Sequence, residues 1–360
     1  MIYVDADTYE KRIEGALVSL NMFANQVIGE LDEQDAGPSW WPNSLGWKLR
    51  ALLSDYLIQS LYGTADALSS ASLVSQAYRE ATFAESYAHQ RAGKQGRSPF
   101  PLDRQGRRRA LVITSSAESC FFHFGQALDR VAAAVFIVGG FEKNVVKVDW
   151  GDVETIGAEF SAGSTKQYLQ PVGSGGRAVQ EALVTAVLDW QKSGPPDWLG
   201  WMRLTRNGMT HRAPSAEALV PTTARTVIRP FFKQPWWSEV QSLVFDEQHP
   251  RTSFLDAFIM CNPADVLDGL VTSLNDLLEA IVAALANCWN ARAGNPQMIV
   301  QSDKQWKDIK PSAGDASNFA GYGSAMTAAA AGAILQNPLD AKRWQSARVM
   351  DDRRQDWYQP

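Results

Sequence analysis

Cysteine is scarce in this chain: Cys120, Cys261 and Cys288 are the only three in 360 residues, and no two of them form a CxxC pair. That usage excludes a disulfide framework and a cysteine-based zinc site, and it suits a reducing, cytoplasmic setting. Positive charge is also in short supply. A net charge of −5 excludes a protein that coats nucleic acid through its overall charge, so any such contact needs a local basic patch. Long apolar runs are missing as well. The most apolar one, Val131 to Phe141, is about half of the roughly 20 residues that a membrane-spanning helix needs, so a buried helix end and no membrane partner are expected. The opening MIYVDADTYEKRIEG is acidic and mixed, where a secretory leader would be basic and then apolar. PVGSGGR, at 171–177, lacks the Gly-Lys-Ser/Thr of a phosphate-binding loop and is expected to be a flexible helix cap. There is no internal repeat and no convincing metal-ligand cluster, so neither a metal nor a cofactor is expected.

What is present is helical periodicity. With 45% hydrophobic and 20% charged residues the chain can build a sizeable core. Across residues 7–31, Ile13, Ala16, Leu17, Leu20, Phe23, Ala24, Val27, Ile28 and Leu31 recur at the three-and-four spacing of one helical face. AGPSWWPNS ends that helix. Two further helices are expected, from Ser44 to about Leu68 and from about Ser70 to Arg91. A long one over 110–140 stops at Gly139-Gly140. VVKVDWGDV and TIGAEFS have local strand character, and helices follow from about Ala178 to Lys192 and from Asp197 to His211. RTVIRPFF and EVQSLVF suggest two strands of a hairpin-like insertion. The clearest helix comes next: Asn262 as N-cap, Pro263 at the first position and Asp265 in the first turn precede a broad apolar face from Val266 to Leu285. After Gly294 the pattern weakens. SAMTAAAAGAIL has helical propensity, and 294–360 is expected to be a docked, partner-binding or partly disordered tail. The class is mainly α: an N-terminal helix in 1–44, an elaborated helical bundle in 45–293 with a small β insertion at about 214–262, and the tail.

Two stretches carry candidate chemistry. AGKQGRSPFPLDRQGRRR, at 92–109, sets Lys94, Arg97, Arg104, Arg107, Arg108 and Arg109 against the single acid Asp103. It is either a solvated linker or a phosphate-contacting RNA-binding arm. RLTRNGMTHR, at 203–212, puts Arg206, Asn207 and His211 within six residues, at a helix end before Pro214. A guanidinium can hold a phosphate through paired hydrogen bonds, and a histidine can move a proton near neutral pH. The same cations would also suit a helix C-terminus for purely structural reasons. Arg203, Thr210 and Arg212 beside the motif, and Asp129 elsewhere, are candidates for supporting roles. His123, among Phe121, Phe122 and Phe124, is expected to be a satisfied bundle histidine, and His89 and His249 sit beside expected loops.

The order Arg-Asn-x-x-x-His resembles the Arg-x4-6-His signature of the HEPN superfamily, in which a polar residue commonly follows the arginine. Arg206, Asn207 and His211 match it with four residues between the arginine and the histidine. FFHFGQALDRVAAAVF, at 121–136, is similar to the long helix that often precedes the motif, and 263–288 to the helix that closes the bundle. The resemblance spans about 45–290 in helix order and is specific at the motif itself. It implies an elaborated HEPN-like bundle and a metal-independent endoribonuclease. His211 would act as acid or base, Arg206 would stabilise charge on the phosphate, and Asn207 would orient either of them. On an ideal helix Arg206 and His211 lie roughly 140° apart, and one histidine cannot serve both sides of a phosphate. The resemblance therefore also implies a homodimer with a composite site, and a toxin or anti-phage effector with an antitoxin or other regulatory partner. The alternatives are a non-catalytic HEPN-like module that binds nucleotides or RNA or scaffolds a partner, and a structural protein in which the motif is coincidental.

Overall fold

Two long helices with broad apolar faces, over 104–139 and 263–294, set the frame. The computed structural model describes residues 8–42, 45–96, 103–163, 172–173, 175–211, 219–222, 225–230, 232, 258–307, 337–350 and 352–358. Within these the chain is mainly α. A short turn of helix, α1 (Thr8–Lys11), leads to α2 (Glu14–Gly29); α3 (Trp47–Lys94) and α4 (Arg104–Gly139) form an antiparallel hairpin; α5 (Trp150–Ser161), α6 (Gly176–Leu188) and α7 (Trp198–His211) pack along it; and α8 (Pro263–Gly294) closes the bundle. A last helix, α9 (Pro338–Ser346), belongs to the tail. One continuous core draws side chains from α2 through α8, with Leu57, Leu61, Phe124, Val131, Leu274 and Leu278 almost fully buried.

Among the described residues the β structure is confined to two small antiparallel pairs. β1 (Leu31–Asp32) meets β2 (Gly37–Pro38) behind α2, and β3 (Leu219–Thr222) meets β4 (Arg225–Pro230) with Leu219 opposite Pro230. The insertion is thus a hairpin, but RTVIRP pairs with the strand before it. EVQSLVF, the partner expected from the sequence, lies outside the described residues.

Three other expectations are corrected. The two helices expected over 44–91 are one helix of 48 residues. The helix runs on through the serines at the expected boundary, which make close contacts: Ser72 Oγ donates to the Tyr9 carbonyl at 2.6 Å, Ser75 bonds Asp268, and Thr64 bonds back to the Ser60 carbonyl at 2.7 Å. The strand character of 145–161 yields to a capping box. Asp149 Oδ1 accepts from the Asp152 amide at 3.2 Å while Asp152 Oδ2 accepts from the Asp149 amide at 3.0 Å, so a helix starts at Trp150 and buries Trp150, Val153 and Ile156. The stretch 104–109 is the first turns of α4 rather than loop, because Asp103 caps it by accepting from the Gly106 amide at 2.6 Å.

The end of α4 is held from several sides. Gly140 adopts φ 67°, where a Cβ would strike Ile299 at 2.4 Å. Gln305 Nε2 donates to the carbonyls of Phe136 and Phe141, each at 2.8 Å, and buried Arg292 donates to those of Ile137 and Val138. The start of the tail, through Gln305, is therefore docked. So is its far part: Arg343 pairs with Asp55, Lys342 Nζ reaches the Gly29 carbonyl at 2.8 Å, and the Trp357 ring sits edge-on to Trp47 at 4.7 Å. SAMTAAAAGAIL lies outside the described residues. By length and composition α4 and α8 could each cross a membrane, yet 72% and 56% of their most apolar windows are buried inside the fold, as in core helices of a bundle.

The glycine turn before α6 does supply its N-cap, Gly175 at φ 81°, and it has a packing role as well. The Gly173 amide donates to the Met298 carbonyl at 2.8 Å, and a Cβ on Gly176 would come within 1.8 Å of that same oxygen.

Candidate functional site

The buried stripe of α7 runs Trp198, Leu199, Met202, and one turn further along the same face stands Arg206. Where the amphipathic pattern calls for an apolar side chain, the sequence supplies a guanidinium. It can lie against α4 because α4 offers Gly125 there: a Cβ at that position would be 2.4 Å from Arg206 Nε. A glycine inside a helix costs about 1 kcal/mol against alanine, so its use in mid-helix marks a close approach.

From this notch Arg206 Nη2 reaches Asp129 Oδ2 at 3.4 Å, one turn further along α4. Asp129 also accepts from the Trp150 amide at 3.3 Å, which is the first residue of the capped helix α5. Burial raises the pKa of Asp129 above its ordinary value, and the Trp150 amide and Arg206 only partly offset that. The contact to Arg206 is long for a charge-assisted hydrogen bond, and both side chains keep about a third of their surface exposed, 30% and 33%. Asp129 is thus a support for Arg206. Its chain neighbour Arg130 turns the other way, donating to the Gly63 carbonyl at 2.6 Å.

Asn207 is exposed, whereas Arg206 is partly buried. His211 is the last residue of α7, and its side chain, like all of Arg212, lies outside the described residues. Thr210 Oγ1 donates to the Arg206 carbonyl at 2.9 Å. Arg203 is bound to Glu154 of α5, and its charge also favours the ionised form of Asp129. His123 Nδ1 lies 3.1 Å from Gln126 Oε1.

Between α4 and α7 an open cavity of about 260 Å³ is lined by Glu118, Ser119, Phe121, Phe122, Arg206, Met209 and Thr210. Phe121 forms a fully buried floor, while Phe122 and Met209 stay 46% and 37% exposed at the rim. Of these, Glu118 and Ser119 are not distinguishable in the sequence, since neither belongs to a motif, and Phe122 and Met209 lie inside the stretches that carry the resemblance but match no motif position. Gly125 carried the one available signal, a lone glycine in an otherwise helical pattern.

The basic stretch divides. Lys94 at the end of α3 and Arg104, Arg107 and Arg108 in the first turns of α4 are exposed. The arginines at the start of α4 oppose the helix dipole, whereas Lys94, in the last turn of α3, is favoured by it. Arg109 is not free for phosphate: it pairs with Glu85 of α3, whose other oxygen lies 2.9 Å from His89 Nε2. Arg97 lies outside the described residues, as does His249. His89, expected beside a loop, is inside α3. Among the described residues no group of three or more His, Cys, Asp or Glu is placed to hold a metal ion. Compared with family models, curated proteins and solved structures, the chain matches none.

Proposed function

We propose that the chain is a HEPN-like, metal-independent endoribonuclease that cuts RNA by attack of a 2′-OH on the adjacent phosphate. The observation that carries the reading is Arg206: a guanidinium in a glycine notch at the edge of a cavity, restrained by a single long contact to Asp129. Such a group can leave its carboxylate for a phosphate at little cost, and its charge then stabilises the oxygens that gain charge in the transition state. His211 is the proton-transfer group and Asn207, exposed one residue after the arginine, is the polar partner on the open face of α7. Since Arg206 and Asn207 occupy different faces, a second copy of the chain completes the site, and the working enzyme is a homodimer. A cytoplasmic toxin or anti-phage effector, restrained by an antitoxin or another regulatory protein, is the setting that fits this chemistry.

One observation favours a second reading, a non-catalytic module that binds a nucleotide or RNA: Arg206 and Asn207 do not converge within one chain. Cleavage of mixed RNA in EDTA separates the two. Wild-type protein is expected to yield 2′,3′-cyclic phosphate ends, and Arg206→Ala and His211→Ala to lose them. Unchanged cleavage by both variants removes the catalytic assignment. RNA binding without cleavage by the wild type selects the second reading. Light scattering gives the companion result, since a strict monomer at micromolar concentration is incompatible with a shared site.

A further inference from the structure

We infer that the cavity beside Arg206 is a base pocket that selects guanine, with Glu118 as the selecting residue; this rests on the ribonuclease reading for its place next to a scissile phosphate. Its volume of about 260 Å³ falls just below the roughly 300 Å³ at which pockets begin to enclose a drug-sized ligand, which suits one heteroaromatic ring system and leaves sugar and phosphate outside. The walls are of the right kind. Phe121 is a dry floor, and the rim side chains Phe122 and Met209 offer a π-face and a polarisable thioether between which a base can stack.

The polar groups decide which base. Glu118 faces the cavity, and among the described residues no cation pairs with it, because Arg206 turns instead toward Asp129. A carboxylate accepts only, through two oxygens in a fixed fork. Guanine presents two adjacent donors to such a fork, N1–H and the N2 amino group. Adenine presents an acceptor beside its amino group, and uracil and cytosine each present at least one acceptor carbonyl, which a carboxylate repels. Ser119, next in the chain, supplies a hydroxyl donor of the kind that guanine O6 requires. Arg206 is at the same cavity, so a base seated there brings its own phosphate to the guanidinium. Cleavage would then be directed to positions next to G.

The test is equilibrium dialysis of full-length protein with 3′-GMP and 3′-AMP, run beside cleavage of matched oligonucleotides that differ only in having G or A at one unpaired position. Wild type is expected to bind 3′-GMP at least about 10-fold more tightly than 3′-AMP. Glu118→Gln, whose amide can accept from adenine N6 and donate to N1, is expected to reverse that order without changing the thermal midpoint, since Glu118 is exposed. Arg206→Ala is expected to weaken both nucleotides while keeping the order. Equal binding of the two nucleotides, no binding of either, or a G preference that survives Glu118→Gln overturns the pocket assignment. A G preference in a protein that cuts no RNA leaves the pocket standing and removes the nuclease. Cleavage by a protein indifferent to the base does the reverse.

Discussion

Two arginines lean on α4, and they are held in opposite ways. Arg292, from α8, is completely buried at the C-terminal end of α4. It donates to the Ile137 and Val138 carbonyls and to Gln301 Oε1, and it lies 5.5 Å from the Trp40 ring. Burial pushes its pKa down to about 10. Arg206, from α7, is partly exposed at the middle of the same helix and has one carboxylate at 3.4 Å. The first guanidinium gives both terminal nitrogens to carbonyls at the end of a helix and to Gln301, while its Nε has no partner among the described residues. The second is only steadied. A side chain of one type is a fastener where most of its donors are taken up and a reagent where they are left available.

That contrast can be broken from either side. The largest effect is expected at the fastener: Arg292→Ala leaves Gln301 Oε1 without its donor, takes one donor from each of two helix-end carbonyls and empties a fully buried volume, and should lower stability by about 3 kcal/mol, read as a shift in the denaturant midpoint. If stability holds, Arg292 is not the cap described. Arg206→Ala should do the converse, reducing RNA cleavage by about 100-fold or more while the midpoint moves by less than about 1 kcal/mol. A large fall in stability would make Arg206 structural too. Gly125→Ala tests the notch itself. The new methyl displaces Arg206, so cleavage should fall about 10-fold, while the better helix propensity of alanine leaves stability equal or higher by roughly 0.5 kcal/mol.

The smallest effect concerns Asp129. Its pKa is raised in the folded protein, so just above the ordinary value of 3.8 the native state holds more proton than the unfolded chain. The residue's contribution to stability therefore increases as pH falls through that interval and decreases as pH rises through it. Asp129→Asn should remove this slope, altering the pH dependence of Tm by no more than the equivalent of about 1 kcal/mol. A wild-type slope of the opposite sign would show that Arg206 holds the carboxylate ionised.

Periodicity made the helices legible, α2, α4 and α8 above all, because their apolar residues repeat at the helical spacing over several turns. What stayed hidden depended on contacts between distant segments. The strand character of 145–161 was overruled by two aspartates, three residues apart, whose capping pattern was there to be read. The continuity of α3 through its serines needed Tyr9 and Asp268, which come from elsewhere in the chain. At the site, spacing sets Arg206 and His211 roughly 140° apart on an ideal helix, and the His211 side chain lies outside the described residues. Spacing could not indicate that Gly125 admits the arginine, that Arg203 and Arg109 are bound by Glu154 and Glu85, or that Glu118 lines a cavity with no cation paired to it among the described residues.

At 48 residues α3 is roughly 72 Å long, more than twice the length of a typical small-domain element. Near its start it carries the tail through Arg343 on Asp55. Near residues 72–79 it meets the first turns of α8, where Asp268 takes Arg12 and Arg79 together. Segments more than two hundred residues apart are thus tied to one rod. Loss of the tail would be felt along that rod by the docking of α8, so the chain should melt in one transition, and its amides in the middle of α3 should exchange with solvent only when the whole molecule opens.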